Sequence, residues 1–191
     1  MTLCLSCHDK QIDTPHGPVQ DMKKLFAENP SVHGPIAQQQ CSGCHVTHGS
    51  PHFSLLKKEY PESFYTSYAE EQYALCFECH EADMVRDERT DKLTNFRNGD
   101  QNLHFIHVNK DKKGRTCRAC HEVHASKQPN HVTDSVKFGK WDLPIHFDKT
   151  ESGGSCQPGC HKPYKYDRTS AVVNVAKPRT ETGRSASREG S

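Results

Sequence analysis

The sequence predicts a mostly irregular fold, in which short α-helices and loops with little or no β-sheet wrap an interior that is not made of side chains. Three observations lead there. Only 32% of the 191 residues are apolar, and the mean hydropathy is −0.89, whereas ordinary globular domains lie nearer half apolar. The formal net charge is +1, so charge-driven disorder does not account for the low hydrophobicity. All ten cysteines fall into one kind of motif. A length of 191 residues suits one domain or two small ones.

The motifs are CLSCH (Cys4, Cys7, His8), CSGCH (Cys41, Cys44, His45), CFECH (Cys76, Cys79, His80) and CRACH (Cys117, Cys120, His121). The fifth, CQPGCH (Cys156, Cys160, His161), is one residue wider. C-x-x-C-H is the attachment signature of c-type haem. Residues three and four apart on a helical turn share a face, so two thiols reach two neighbouring vinyl groups. The adjacent histidine then turns its imidazole to the iron. In the fifth motif Pro158 and Gly159 predict a distorted turn. The reading is five covalently attached c-type haems.

Other uses of cysteine fit less well. Structural zinc takes two CxxC knuckles per ion and requires no histidine after each second cysteine. Disulfides give no reason for that histidine either. A thioredoxin-like CxxC needs a βαβ context, which the sequence lacks.

The spacing contains a duplication. Unit one runs from the motif at 4–8 through His33 to the motif at 41–45 and His48. Unit two runs from the motif at 76–80 through His107 to the motif at 117–121 and His124. CHVTHGS at 44–50 matches CHEVHAS at 120–126. The expected organisation is a first dihaem unit at 1–66, a second at 67–128, a fifth-haem segment at 129–168 and a flexible tail at 169–191. The tail reads TSAVVNVAKPRTETGRSASREGS, without Cys or His.

The stretches HGPI before CSGCHVTHGS, GRTCRACHEVHAS, and FGKWDLPIHF…GGSCQPGCHKPYKYDR resemble the bacterial multihaem c-type cytochromes with doubled CxxCH motifs. The resemblance covers about residues 4–168. It implies a multihaem cytochrome c fold around stacked haems and bis-histidine electron transfer. It also implies a periplasmic or extracellular location, often in anaerobic respiration on remote acceptors. The CxxxCH spacing at the fifth site departs from the commoner motif.

Five irons with histidine on both faces need five distal histidines, and nine lie outside the motifs. His33, His48, His107 and His124 occupy equivalent places in both units and are the expected distal ligands. The CHxxH histidines, His48 and His124, are too constrained to reach the iron of their own motif, so each is expected to serve a neighbouring haem. His131 is expected as the fifth, with His104 and His146 as alternatives. A sixth ligand histidine would serve a haem outside this chain. His16 and His52 read as surface residues, and with histidines in surplus Met1, Met22 and Met84 are not expected to ligate.

Helical patterning is expected over 18–29, with Val19, Met22, Leu25 and Phe26 on one face and Pro18 in the first turn. A second helical stretch is expected over 68–82. No strand shows convincing alternation.

The expected function is electron transfer without catalysis, as an extracellular or periplasmic conduit. The alternative is a soluble periplasmic donor to a terminal reductase. Below both ranks a multihaem reductase, which needs an iron with an open face, while every motif here ends in His. Expected partners are redox proteins or further cytochrome subunits, a homopolymer included. The near-neutral charge gives no nucleic-acid footprint, and no apolar run is long enough to span a bilayer. Haem attachment to CxxCH takes place outside the cytoplasm in bacteria, yet the opening MTLCLSCH carries no export signal. A processed form or a segment of a longer protein is therefore expected.

Overall fold

A computed structural model describes residues 1–15, 17–159 and 161–174. His16, Cys160 and the part of the expected tail beyond residue 174 lie outside the described residues.

The chain folds as a succession of short elements. Helices run from a single 3₁₀ turn to the seven residues of Met22–Glu28. Strands of two to four residues form five two-stranded sheets and one three-stranded sheet among the described residues. This is more sheet than the sequence suggests. Strands this short display too few residues for a period-two pattern to emerge.

Met22–Glu28 starts four residues later than the periodicity implies. Pro18 and Val19 belong instead to Gly17–Val19, which pairs antiparallel with Ile12–Thr14. The helix begins where Asp21 can cap it, its carboxylate accepting the Lys24 amide at 2.8 Å. Its first amides, Met22 N and Lys23 N, donate to the His8 carbonyl at 3.0 and 3.2 Å, which ties the helix to the first motif. The stretch at 68–82 is broken into the 3₁₀ turns Glu70–Tyr73 and Cys76–Glu78 rather than one helix.

Two strand pairs interlock the first two expected segments. Ser31–Val32 pairs with Ala125–Ser126, and Tyr65–Thr66 pairs with Gly114–Arg115. Residues 169–174, expected as the start of the tail, are held in place. Val172 exchanges two hydrogen bonds with the Asn98 side chain at 2.8 and 2.9 Å, and Asn174 does the same with the Lys165 backbone at 3.0 and 2.8 Å.

The duplication is structural as well as sequential. A shift of 76 positions carries Cys41 onto Cys117 and reproduces the loop that follows each motif. Lys57 N donates to Cys44 O at 2.9 Å, as Thr133 N does to Cys120 O at 2.9 Å. Val46 N donates to Leu55 O at 2.8 Å, as Glu122 N does to His131 O at 2.8 Å. Ser54 and Leu55 take left-handed backbone angles (φ 52° and 57°), and so do Asn130 and His131 (both 56°). The Ser50 hydroxyl donates to Leu56 O and the Ser126 hydroxyl to Val132 O.

Side-chain packing is thin. Leu56, Tyr60, Tyr73, Val85 and Val108 form one cluster, and Val132, Val136 and Ile145 a second. Leu56 and Val132 are repeat equivalents. The accessible surface is 13589 Å², against roughly 9,000 Å² for a compact chain of this mass. The seventeen residues after position 174, even if every atom were exposed, would add only about 2,600 Å². The fold leaves surface that side chains alone do not cover.

Backbones approach closely beside the fifth motif. A Cβ at Gly153 would overlap the Tyr166 carbonyl oxygen and lie 2.8 Å from Asp167 Cα. Both obstacles are backbone in the paired strand Tyr164–Asp167. Gly153→Ala is expected to cost about 3 kcal/mol, read as a lowered midpoint in thermal unfolding of the haem-loaded protein.

Candidate functional site: cysteine turns and facing histidines

Four motifs share one backbone turn. The second cysteine amide donates to the first cysteine carbonyl at 3.2 Å in Cys7, Cys44 and Cys79, and at 3.1 Å in Cys120. The histidine amide donates to the same carbonyl at 3.0 Å in His8, His80 and His121, and at 3.1 Å in His45. Each turn thus presents two thiols and an imidazole in one arrangement. The fifth motif is built differently. Cys156 ends the strand Gly153–Cys156, and His161 N donates to Pro158 O at 3.2 Å. The extra residue and Pro158, which has no amide to donate, go with the distorted turn expected at this motif. Cys160 lies outside the described residues.

The thiols stand next to one another in chain order. Cys4 and Cys41 are near enough to influence each other electrostatically, as are Cys76 and Cys117. Cys44 feels Cys76 and Cys79, and Cys156 feels Cys120. Burial, with Cys120 second, pushes the Cys156 thiol up to about 11. Among the described residues no disulfide joins two cysteines.

The histidines face each other in pairs. His33 and His80 have ring centroids 6.1 Å apart with planes 7° from parallel. His45 and His124 are 6.1 Å apart at 16°, and His104 and His121 are 6.3 Å apart at 29°. Two imidazoles on opposite faces of one metal, each bonded through nitrogen at about 2 Å, have centroids roughly 6 Å apart. Direct ring stacking would bring them closer.

Each pair joins a motif histidine to a histidine remote in sequence. His124 reaches His45 from the fourth motif. His33 reaches His80 because Val32 pairs with Ala125 and His33 N donates to His124 O at 3.0 Å. The distal histidines of two sites are therefore backbone neighbours.

The other ring nitrogen is occupied in each pair. Nδ1 of His45 donates to Ser54 O and Nδ1 of His121 to Asn130 O, both at 3.0 Å. His104 Nδ1 meets the Thr94 hydroxyl at 3.0 Å, and the His33 ring bonds the Val123 carbonyl. Such bonds orient the rings, and the carbonyl acceptors fix the tautomer of His45 and His121, leaving Nε2 free to ligate there. Burial is the largest cause holding His33, His45, His107 and His121 below the usual imidazole range. It pushes His104 down to about 3. These rings are neutral near pH 7, as metal ligation requires.

One short helix, Leu103–Val108, carries both His104 and His107. His104 faces His121. His107 has His161 within electrostatic range and donates from Nδ1 to Leu103 O at 2.7 Å. Phe96 lies along His107 at 5.9 Å and edge-on to His104 at 5.2 Å.

The remaining candidates sit elsewhere. His131 occupies the left-handed position that Leu55 takes in the first unit. It stands edge-on to His33 at 5.5 Å and 73°, with its Nδ1 3.4 Å from the Ser31 hydroxyl. No motif histidine faces it across a gap; the ring opposite His121 is His104. His52 pairs with Glu59 at 3.0 Å, and His146 is exposed. His48 is exposed. By sequence, His131 is favoured over His104 because it follows the second unit and precedes the last motif, while His104 has no counterpart in unit one. The signal for His104 is its spacing three residues before His107, on one helical turn.

Among the described residues no three His, Cys, Asp or Glu side chains converge to hold a metal ion by themselves. That suits a metal that brings its own equatorial ligands and needs one nitrogen from each side. The cysteine turns, the paired rings and their fixed tautomers fit haem.

Comparison with known proteins gives one family match, the doubled CXXCH motif, over residues 33–85. The match spans two attachment motifs, His33 and His48. It supports a c-type cytochrome-like motif in this chain and, with it, covalently bound c-type haem. No curated protein and no solved structure matches. Among the described residues, no helix is long and apolar enough to cross a membrane.

Proposed function

We propose that the chain is a multihaem c-type cytochrome that transfers electrons through five covalently bound haems, without catalysing a reaction of its own. The carrying observation is the three histidine pairs at 6.1–6.3 Å with near-parallel planes. Three axial sets follow, His45 with His124, His80 with His33 and His121 with His104, and His107, within electrostatic range of His161, would make a fourth. The fifth motif histidine, His8, has no described ring opposite it.

Bound haem supplies a one-electron ferric–ferrous couple. The residues do the rest. Cys4/Cys7, Cys41/Cys44, Cys76/Cys79, Cys117/Cys120 and Cys156/Cys160 anchor the groups. The neighbouring thiols, Cys4 with Cys41 and Cys76 with Cys117, bring consecutive attachment sites together in chain order. Where histidine stands on both faces no position is left for a substrate, and all-histidine ligation favours low potential over Met/His ligation. A location in the periplasm or at the cell exterior, with redox proteins or cytochrome subunits as partners, follows from where CxxCH haem is attached.

Coulometric titration of the matured protein is expected to take up five electrons per chain at low potential, with no consumption of nitrite or hydroxylamine. Fewer electrons per chain, or turnover of either compound, would overturn the reading.

A further inference from the structure

Residues 122–124 touch two of the ring pairs above. His124 O accepts His33 N at 3.0 Å, and the His33 ring bonds the Val123 carbonyl. Glu122 Oε1 accepts His124 N at 3.2 Å and lies 3.6 Å from His124 Nδ1. One segment therefore backs the ring facing His80 with a neutral carbonyl and the ring facing His45 with a carboxylate. His45, His104, His107 and His121 lean on carbonyl or hydroxyl oxygens. The Glu122 and His124 side chains are 32% and 27% exposed, so salt and water do not screen this charge as they do between fully exposed groups. An ordinary glutamate is ionised at neutral pH. The repeat shows that the loop forms without it. The shift of 76 positions carries Glu122 onto Val46, and Val46 N still makes the matching bond to Leu55 O.

Resting on the bis-histidine reading, we infer that Glu122 is a positioning residue that lowers the potential of the haem iron between His45 and His124, a bias that the neighbouring iron between His80 and His33 does not receive. A carboxylate beside Nδ1 raises the basicity of the imidazole and makes it a stronger donor through Nε2. A stronger donor with a negative charge behind it stabilises ferric over ferrous iron, and such contacts are one of the levers by which a protein sets haem potential. The couple remains one electron, with no bond made or broken. The bias favours passage of an electron from the iron at His45 to the iron at His80.

The test is a spectroelectrochemical titration of the full, matured chain beside its Glu122→Gln and Glu122→Asp variants. A Glu59→Gln control removes a carboxylate from beside His52 instead. His124→Met and His33→Met identify the two midpoints, since Met/His ligation raises potential. Glu122→Gln should move the midpoint marked by His124→Met upward, with the spin state of that haem unchanged, and move the one marked by His33→Met much less. Glu122→Asp, charged but shorter, should fall between wild type and Glu122→Gln. Glu59→Gln should leave both midpoints in place. A merely structural role for Glu122 would lower thermal stability or raise high-spin content without a selective shift in potential.

Three results would overturn the inference: an unmoved midpoint in Glu122→Gln, a downward shift, or an equal shift at both haems. A His124→Met variant whose spectra and midpoints all match wild type contradicts the axial pair itself. That is a failure of the preceding reading, which takes this inference with it and which the Glu122 variants alone would not produce.

Discussion

The chain synthesised without haem is expected to show no cooperative thermal unfolding transition, whereas the matured protein melts as a unit. Eleven hydrophobic residues are buried among those described, eight of them in two small clusters. The surface left open exceeds that of a compact protein of this mass. Ordering a backbone costs roughly 1–2 kcal/mol per residue, and so few buried side chains do not offset that cost. On the proposed reading, porphyrins would supply the missing apolar surface, and their thioether and axial bonds would link segments remote in sequence. Circular dichroism melts of haem-free and haem-loaded chains read the difference. A haem-free chain melting cooperatively near the temperature of the loaded one would contradict it.

Asn102→Ala is expected to destabilise the loaded protein by about 3 kcal/mol and to loosen two haems at once. Asn102 is fully buried. Its side-chain oxygen caps the helix Leu103–Val108 by accepting His104 N at 3.0 Å and Phe105 N at 3.3 Å. Its amide donates to Met84 O at 2.9 Å and Asp87 O at 2.8 Å, fixing that helix against Asp83–Arg86. Truncation strands two amides and two carbonyls. Because the helix carries His104 and His107, high-spin character should rise at the haems of His121 and His161 and not at those of His45 and His80. Asn102→Asp keeps the cap and loses both donations, so it should fall between wild type and Asn102→Ala. A uniform spectral change across all haems would count against the assignment.

Much of the site stands out in the sequence because chemistry fixes its spacing. A CxxC pair followed by His folds into one turn in four places, and duplication singles out His33 and His124. What escapes sequence reading depends on distant segments. His104 has no partner in the first unit, and its place opposite His121 comes from the Asn102 cap and the packing on Asp83–Arg86. His131 looks like a ligand by position along the chain, yet its backbone repeats that of Leu55, a residue with no ligand chemistry. Cys156 sits on a strand because Gly153 and Gly154 let the backbone lie against Tyr166. The paired strands at 31–32 with 125–126 and 65–66 with 114–115 are two residues long, too short to carry a pattern.

The claim on which the rest depends is that histidine pairs enclose thioether-bound haem iron. Intact mass and iron content of the matured chain test it most directly. The account predicts a mass increase of five haems per chain that survives denaturation, with five irons. A colourless product of unmodified mass, or one whose metal is zinc, would contradict it.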